Sequence, residues 1–589
     1  MPDLTSLSST RTEGTADRSS MPGAAAFLAR GLGVFLLFAA ATAILFWQWM
    51  PHLHSALIGP PEDNLNDFWN TWYVAFAQNA NHFFYTDLLR FPEGTPLTYQ
   101  SFAYPQVFAI ALISKIFGLG PASLILQQNL GLLISFPLAG TGAFYLVRHF
   151  AAHTGGALVG GFVFAFNPSH VEHVMHHAGV SQIEFIPFFV LAFLLTIERK
   201  SILLLAATVV LFALNALSCW YYIFYASYFV VFHTLYVAIR DRALPRGWQL
   251  ITPIASVTGV VVLLSPLLVP MVRAGLGSMS AYLSGSDWYV ADLLAYPAFP
   301  PFHALGPWAE GIYSRLNGNE WEATAYLGLV NMVVLAWLYF SGRVQDRRLL
   351  TYVLCGMAVF CVVASGDSLH VLGHPLRVPG HRTIPMPGVV LSHLPFFKNV
   401  RTPSRAIVFV YLFMAIGIGY AVTLAWRSPT QHIGRLAVAI VAALIVLDFF
   451  PARRLPMTPL LCSPGLAVIR DDPEQGFGVL DLPQGLPDLP QGYLAGNLYM
   501  SQQTCHGRPI AQGTTSRNLV VSLRDRLETT DFPAQRRQLV DARVKYIVIN
   551  HEPMGVPLQW LETDGNKDQY STFYPVAYDG PDLTVLRVY

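Results

Sequence analysis

The 589-residue sequence predicts an all-α polytopic membrane protein of about 11 transmembrane helices, with a small α/β domain at its C-terminal end outside the membrane. Three observations predict this. Hydrophobic residues make up 53% of the chain and charged residues only 12%, against about 25% charged in soluble domains. Apolar segments of about 20 residues, enough to cross a bilayer, recur at 26–50, 121–147, 154–168, 181–198, 201–218, 219–239, 250–270, 324–341, 349–365, 403–426 and 433–450. The basic residues then fall on one side. With the N-terminus in the cytoplasm, the links on that side hold Arg148; Glu198, Arg199 and Lys200; Arg240, Arg242 and Arg246; Arg343, Arg347 and Arg348; and Arg427 and Arg435, as the positive-inside rule requires. The outer side receives the long loops 51–104, 168–180, 271–323 and 366–402, and everything from 451 onward.

Taken in order, residues 1–22 are rich in Ser, Thr, Gly and Asp and form a disordered cytoplasmic tail. The transmembrane domain runs over 23–450, and its first segment is a retained helix, without a trusted cleavage signal. Residues 102–118 are apolar but short, ended by Gly118, Gly120 and Pro121, and read as a surface or re-entrant helix. Residues 451–589 form the outer domain. In it 478–482, 544–549 and 583–588 read as strands, and 517–543 as a helix, from the spacing of Leu519, Leu523, Leu527 and Leu539. A net charge of +1 gives no basis for a nucleic-acid partner. Five cysteines exclude a disulfide scaffold and show no zinc-finger spacing. Cys219, Cys355 and Cys361 sit in apolar segments as small hydrophobes. Cys462 and Cys505 lie in the polar C-terminal part and could pair.

Chemistry concentrates at the outer ends of the spans. In the stretch from Pro60 to Tyr73, the two prolines stop the first helix and Asp63 or Asn64 can cap a new one. Phe68, Trp69, Trp72, Tyr73 and Phe76 share one side of it, which predicts a helix lying on the bilayer surface. Glu62, Asp63 and Asp67 give it an acidic start. In 168–187, His170, His173, His176 and His177 cluster with Glu172, Gln182 and Glu184. His173 and His177 are one helical turn apart, a spacing found in zinc sites. No H-E-x-x-H pattern or cysteine pair completes a ligand set, and histidine also donates to phosphate or sugar. No metal ligand is therefore assigned, and a divalent metal stays open. At Pro403, Lys398, Arg401 and Arg405 gather at a helix N-terminus on the outer side, where cations need a reason. Such an arrangement suits phosphate, or lipid headgroups. Glu322 opens the helix that follows the loop 271–323, or caps it.

Together these pieces resemble the GT-C superfamily of membrane glycosyltransferases, and within it a bacterial, largely uncharacterised GT-C-like group. The residues that carry the likeness are Asp63 with Trp69-Asn70-Thr71-Trp72, Tyr85-Thr86-Asp87, Pro92-Glu93-Gly94, Pro168 with His173, His177 and Pro187, and Ser218-Cys219-Trp220-Tyr221-Tyr222. Ala291-Asp292-Leu293, Glu322 with Tyr326-Leu327-Gly328, Arg401-Thr402-Pro403-Ser404-Arg405, Tyr499-Met500 and His506-Gly507 continue it. The resemblance implies inverting transfer of a sugar from a polyprenyl-phosphate donor to a hydroxyl of a glycan, lipid or protein acceptor, on the outer face of the bacterial cytoplasmic membrane. It puts the role of base, or of the group that orients the acceptor, on Asp63, with Asp67 second, although acidic residues four apart depart from the spaced pair of metal-dependent members. In this reading Lys398, Arg401 and Arg405 hold the lipid phosphate. His173, His177, Glu184, Trp220, Tyr221 and Glu322 line the substrate. The rival readings are a transporter or flippase of lipid-linked glycans, and a non-catalytic envelope assembly factor that keeps the fold.

Overall fold

The computed structural model describes residues 24–589 apart from 78–82, 152, 276–286, 343, 345, 380–381, 392, 394–399, 429, 454, 461, 484–489, 517–519 and 552–566. The tail 1–22, Lys398 and Leu519 lie outside the described residues.

The chain opens with α1 (Ala24–Leu45), a short strand β1 (Ala56–Ile58), the acidic helix α2 (Asp63–Trp72) and a two-stranded hairpin, β2 (Tyr85–Thr86) with β3 (Thr95–Pro96). Helices α3 (Tyr104–Phe117), α4 (Leu124–Leu133), α5 (Ser135–Ala151) and α6 (Thr154–Ala165) follow. Next come α7 (Pro168–His176), α8 (Ala178–Ser181), α9 (Phe185–Arg199), α10 (Ile202–Ser218), α11 (Trp220–Asp241), α12 (Trp248–Leu263) and α13 (Ser265–Gly275). Past a long loop stand α14 (Gly306–Tyr313), α15 (Glu320–Ala323), α16 (Leu329–Phe340) and α17 (Arg347–Ala364). Two small hairpins, β4 (His370–Val371) with β5 (His374–Pro375) and β6 (Arg377–Val378) with β7 (Arg382–Thr383), lead to α18 (Gly388–Leu391), α19 (Ile407–Trp426) and α20 (Gln431–Asp448).

Every apolar segment read from the sequence contains a helix, although α1 stops at Leu45 and α16 begins only at Leu329. Six helices among the described residues are long and apolar enough to cross a membrane, and α12 with α13, bent by 69°, makes a seventh. α3, α6, α10 and α16 are apolar but shorter. α19 with the 3-10 turn before it is the hub: 94% of its apolar window is buried, as a helix apolar on all sides must be. α6 lies close against it because a Cβ on Gly156 would stand 2.4 Å from the Gly419 carbonyl, and one on Gly160 would stand 2.6 Å from that of Ala415. Small residues four apart let two apolar helices approach this closely.

The C-terminal part holds β8 (Met457–Pro459), α21 (Pro464–Arg470), β9 (Gly478–Leu482), α22 (Pro490–His506), α23 (Phe532–Asp541), β10 (Val544–Asn550), α24 (Lys567–Phe573), β11 (Val576–Asp579) and β12 (Leu583–Arg587). Its sheet runs β11-β12-β10-β9, with β9 parallel to β10 and the other pairs antiparallel. Ile547 is paired with both Leu480 and Leu586, so the buried strands pack as one sheet. The predicted helix over 517–543 is corrected. A 3-10 turn at Leu523–Arg526 is separated from α23, which starts at Phe532 with Asp531 capping Ala534 N at 3.1 Å. The cap and Pro533 set the boundary there. α22 has no single apolar face in sequence because both of its sides are covered. Cys462 and Cys505 form a disulfide, which ties the segment after β8 to the last turn of α22.

This part is not a separate bead. β1 pairs with β8 from Ala56↔Pro459 to Ile58↔Met457. The first loop also joins the sheet's edge, since Phe91 N donates to Ile510 O at 3.0 Å and Ile510 N to Leu88 O at 2.9 Å, while Ala511 N donates to Val479 O at 2.8 Å.

Candidate functional site

α2 is the element the sequence places on the bilayer, and here the structure differs. Phe68, Trp69, Trp72 and Tyr73 are buried, packed among residues of α22 and the sheet, including Leu498, Tyr499 and Val479. Trp69 Nε1 donates to Gln503 Oε1 at 2.7 Å. An aromatic stripe satisfies an apolar protein surface as well as a lipid one, and the choice between them is made by residues more than 400 positions away. Asp63 is also not a cap: Glu62 occupies that position without a side-chain cap bond, and Asp63 is the first helical residue.

The aromatic face being covered, α2 turns its acidic face to the junction of α7 and α8. Asn167 caps α7, its Oδ1 accepting from His170 N at 2.9 Å, with Pro168 following. The helix ends at His177, whose backbone is extended, and α8 begins at Ala178. Asp63 Oδ2 lies 2.9 Å from His177 Nε2. Four residues on, Asp67 Oδ2 accepts from Ala178 N at 2.8 Å. A cavity behind this contact is lined by Asn64, Asp67, Gln128, Asn129, His176 and His177. Burial pushes the Asp67 carboxyl up to about 7 against the bond from Ala178. Burial opposes a charge on His177, but the bond and charge of Asp63 prevail and raise it.

The other wall comes from α15 and the turn before α19. Asn319 Oδ1 caps α15 by accepting from Glu322 N at 3.0 Å. Glu322 is buried and Arg405 meets it edge-on, with Nε 3.0 and 3.1 Å from its two oxygens and Nη2 also bonded. Burial pushes the Glu322 carboxyl up, but the Arg405 charge and its hydrogen bonds hold it down at about 2. It is an ionised carboxylate. Glu322 Oε1 stands 3.9 Å from His177 Nε2 and Oε2 3.9 Å from His173 Nε2. Burial keeps His173 well below the usual histidine range, so it is neutral. The Arg405 guanidinium stacks over Tyr221 at 4.7 Å, and Tyr225 fixes the turn by donating to Thr402 O at 2.7 Å.

Asp63, His177, Glu322, Arg405 and Tyr221 therefore form one chain of contacts, with His173 against Glu322. A second arrangement runs beside it. Glu62 Oε2 is 3.2 Å from His176 Nδ1, His176 Nε2 is 3.8 Å from Glu172 Oε2, and the ring stacks on Trp321 at 4.1 Å. Arg401 is exposed near the same turn, and Tyr289 meets that turn, its carbonyl accepting from Ser404 N at 3.2 Å. Trp220 is half-buried at the start of α11. Glu184 is buried, its Oε2 without a hydrogen-bond partner among the described residues. No hydrogen bond among the described residues joins Trp220 or Glu184 to the chain. Tyr289 was not legible as a site residue, since it lies in a long loop without periodicity.

The sequence assigns no metal, yet His173, His177 and Glu322 each offer a ligand atom, all within 4.8 Å of one another. Two imidazoles and a carboxylate, with Asp63 beside them, are a donor set that fits a divalent cation of the zinc type.

No family model matches the chain, and no curated protein matches it. Among solved structures, the archaeal oligosaccharyltransferase AglB from Archaeoglobus fulgidus, in complex with an inhibitory peptide and a dolichol-phosphate, is similar over 93% of this chain and 72% of that one, at 12% identity and a TM-score of 0.45. The same organism's oligosaccharyltransferase in complex with Zn and sulfate gives 94% and 72% coverage, 11% identity and a TM-score of 0.48. ArnT from Cupriavidus metallidurans bound to undecaprenyl phosphate gives 95% and 98%, again at 11% identity and 0.48. At this overlap neither reaction nor residue roles carry across, and function has to be argued from this chain's own side chains.

Proposed function

We propose that the protein is a GT-C-type glycosyltransferase that moves a sugar from a polyprenyl-phosphate donor to an acceptor hydroxyl, with inversion, on the outer face of the cytoplasmic membrane. The observation that carries this is the Asp63–His177 pair at 2.9 Å, facing the ion-paired Glu322 and Arg405 where apolar helices end. A carboxylate base and a cationic turn in one place are what acyl-free group transfer from a phosphate needs.

In the proposed reaction Asp63 takes the proton of the acceptor hydroxyl and His177 holds the carboxylate's orientation. The hydroxyl oxygen bonds the anomeric carbon as the carbon–oxygen bond to phosphate breaks. The lipid phosphate leaves with the electron pair, its charge met by Arg401 and the helix start at Pro403. Arg405, bonded to Glu322, keeps that turn and Tyr221 in place and adds positive field. Asp67 anchors α2 to α8. Trp220, Glu184 and His173 stay assigned to the substrate side. A divalent cation held by His173, His177 and Glu322 would supply further stabilisation of charge on the leaving phosphate.

The layout behind this reading has about eleven spans, the N-terminus inside and the C-terminal part outside. The disulfide supports the latter, because such bonds persist in oxidising compartments. The bend in α12–α13 is the feature a flippase reading would use, as broken helices serve transporters. One assay separates the readings. Purified protein is incubated with a panel of undecaprenyl-phosphate hexoses and candidate acceptors, and release of undecaprenyl phosphate is measured. Release that depends on an acceptor supports transfer. Movement of the donor across vesicles without release, or no reaction with any donor, contradicts it.

A further inference from the structure

α2 has only ten residues, and isolated helices shorter than about 12 residues are marginal. Its N-cap gives it no side-chain bond. The first turn, which carries Asp63, is therefore fixed by what packs on it. Apolar packing along Trp69 and Phe68 is strong but non-directional, and would leave the helix free to turn or slide. The face of α2 that carries Asn66 and Asn70 carries directional bonds instead. Asn497 of α22, fully buried, donates through Nδ2 to Glu62 O at 3.3 Å and accepts at Oδ1 from Asn66 Nδ2 at 3.2 Å. Those two groups lie immediately before Asp63 and three residues after it. Asn66 Nδ2 also donates to Thr514 O at 3.1 Å, and Asn66 Oδ1 accepts from Gln100 Nε2 at 2.9 Å. Gln100 Oε1 in turn accepts from Ser516 N at 3.0 Å. The neighbouring Gly496 makes room for this, because a Cβ there would stand 2.1 Å from Thr514 Oγ1. A buried amide network with its partners satisfied specifies one geometry.

We propose that Asn497 is a positioning residue for the transfer: by bridging the Glu62 carbonyl and the Asn66 amide it sets where the Asp63 carboxylate points. The C-terminal part is on this account a component of the active centre, although it lends no reacting group. The inference rests on Asp63 being the base. α22 is well placed to act this way, since the Cys462–Cys505 bond closes its last turn and Gln503 holds Trp69.

The test uses the full-length protein in detergent, an undecaprenyl-phosphate hexose as donor, and undecaprenyl phosphate alone as a binding probe. Asn497→Ala is expected to lower turnover at saturating donor by roughly ten- to a hundredfold, the scale of a misplacement of about 1 Å. KM and affinity for undecaprenyl phosphate should stay within about twofold, because an interaction used only in the transition state lowers kcat alone. In an Asp63→Asn background the same substitution should change nothing further. Full turnover in Asn497→Ala, parallel losses of affinity and turnover, or an undiminished further drop in the Asp63→Asn background would each overturn the proposal. If Asn497→Ala shows no folding transition, Asn66→Ser removes one leg of the bridge and must give the same split, or the proposal fails. Full turnover in Asp63→Asn itself is a different result: it removes the base assignment, and this inference with it.

Discussion

At Glu322 two effects oppose one another. Burial favours the neutral acid, while Arg405, bonded through Nε at 3.0 Å, favours the anion, and the anion prevails. The pair is worth more to the structure than either member alone, because removing one partner strands a buried charge at a cost of about 3–5 kcal/mol. The sequence places Arg401 and Arg405 in one role; in the structure Arg405 is paired with Glu322 and Arg401 is exposed. Arg405→Ala should lower the melting temperature markedly, whereas exposed Arg401→Ala should lower it far less and weaken undecaprenyl phosphate binding by roughly one to two decades. Equal melting of the two variants contradicts this division. Asp481 shows the opposite balance. It is buried in β9 with neither carboxylate oxygen bonded among the described residues, and burial pushes it up to about 8. Its folded form keeps the proton that the unfolded chain gives up above the ordinary aspartate value of 3.8. Stability is therefore fully present at acid pH, falls from about pH 4 to about pH 8, and is level beyond. Asp481→Asn, which cannot ionise, should flatten that slope and raise the melting temperature at pH 8. An unchanged slope in melting curves between pH 4 and pH 8 would show that Asp481 is not its source.

At the scale of elements, α2 explains most of what the sequence does and does not reveal. Its amphipathic stripe was legible, and so was the acidic face, since Asp63 and Asp67 are one turn apart. The surface that covers the stripe was not, because Gln503 and Asn497 follow α2 by more than 400 residues and nothing local announces them. α22 escaped for the same physical reason: a helix covered on two sides shows no single-faced periodicity. Long apolar helices such as α19 were legible at once, as their solvent is lipid or other apolar helices all round. In the site, His173, His177, Glu322 and Arg405 could be singled out because ionisable groups gather at the outer ends of apolar spans, and Tyr221 through the resemblance. That Glu322 binds Arg405 rather than capping its helix depends on tertiary contact. The disulfide belongs to this scale too. Cys505→Ser, or reduction of the wild type, should lower stability by about 2–4 kcal/mol, read as a shift in the melting transition with and without reductant. No shift would mean that α22 is held by packing alone.

For the whole molecule, the first loop and the C-terminal part form one structure through β1–β8 and the Leu88–Phe91 edge, so both must lie on the same side of the membrane. With the N-terminus inside, reporter fusions after Lys200 and at Tyr589 should report opposite sides. The same side for both would remove the outer-face chemistry. Whether Asp63 is the base of a sugar transfer is read from turnover of an undecaprenyl-phosphate hexose in Asp63→Asn beside the wild type, with melting curves for both. Because Asn retains a hydrogen-bonding side chain at the start of α2 but cannot take a proton, the account predicts near-identical melting and release of undecaprenyl phosphate lower by roughly 10²-fold or more. Wild-type release from Asp63→Asn would contradict it.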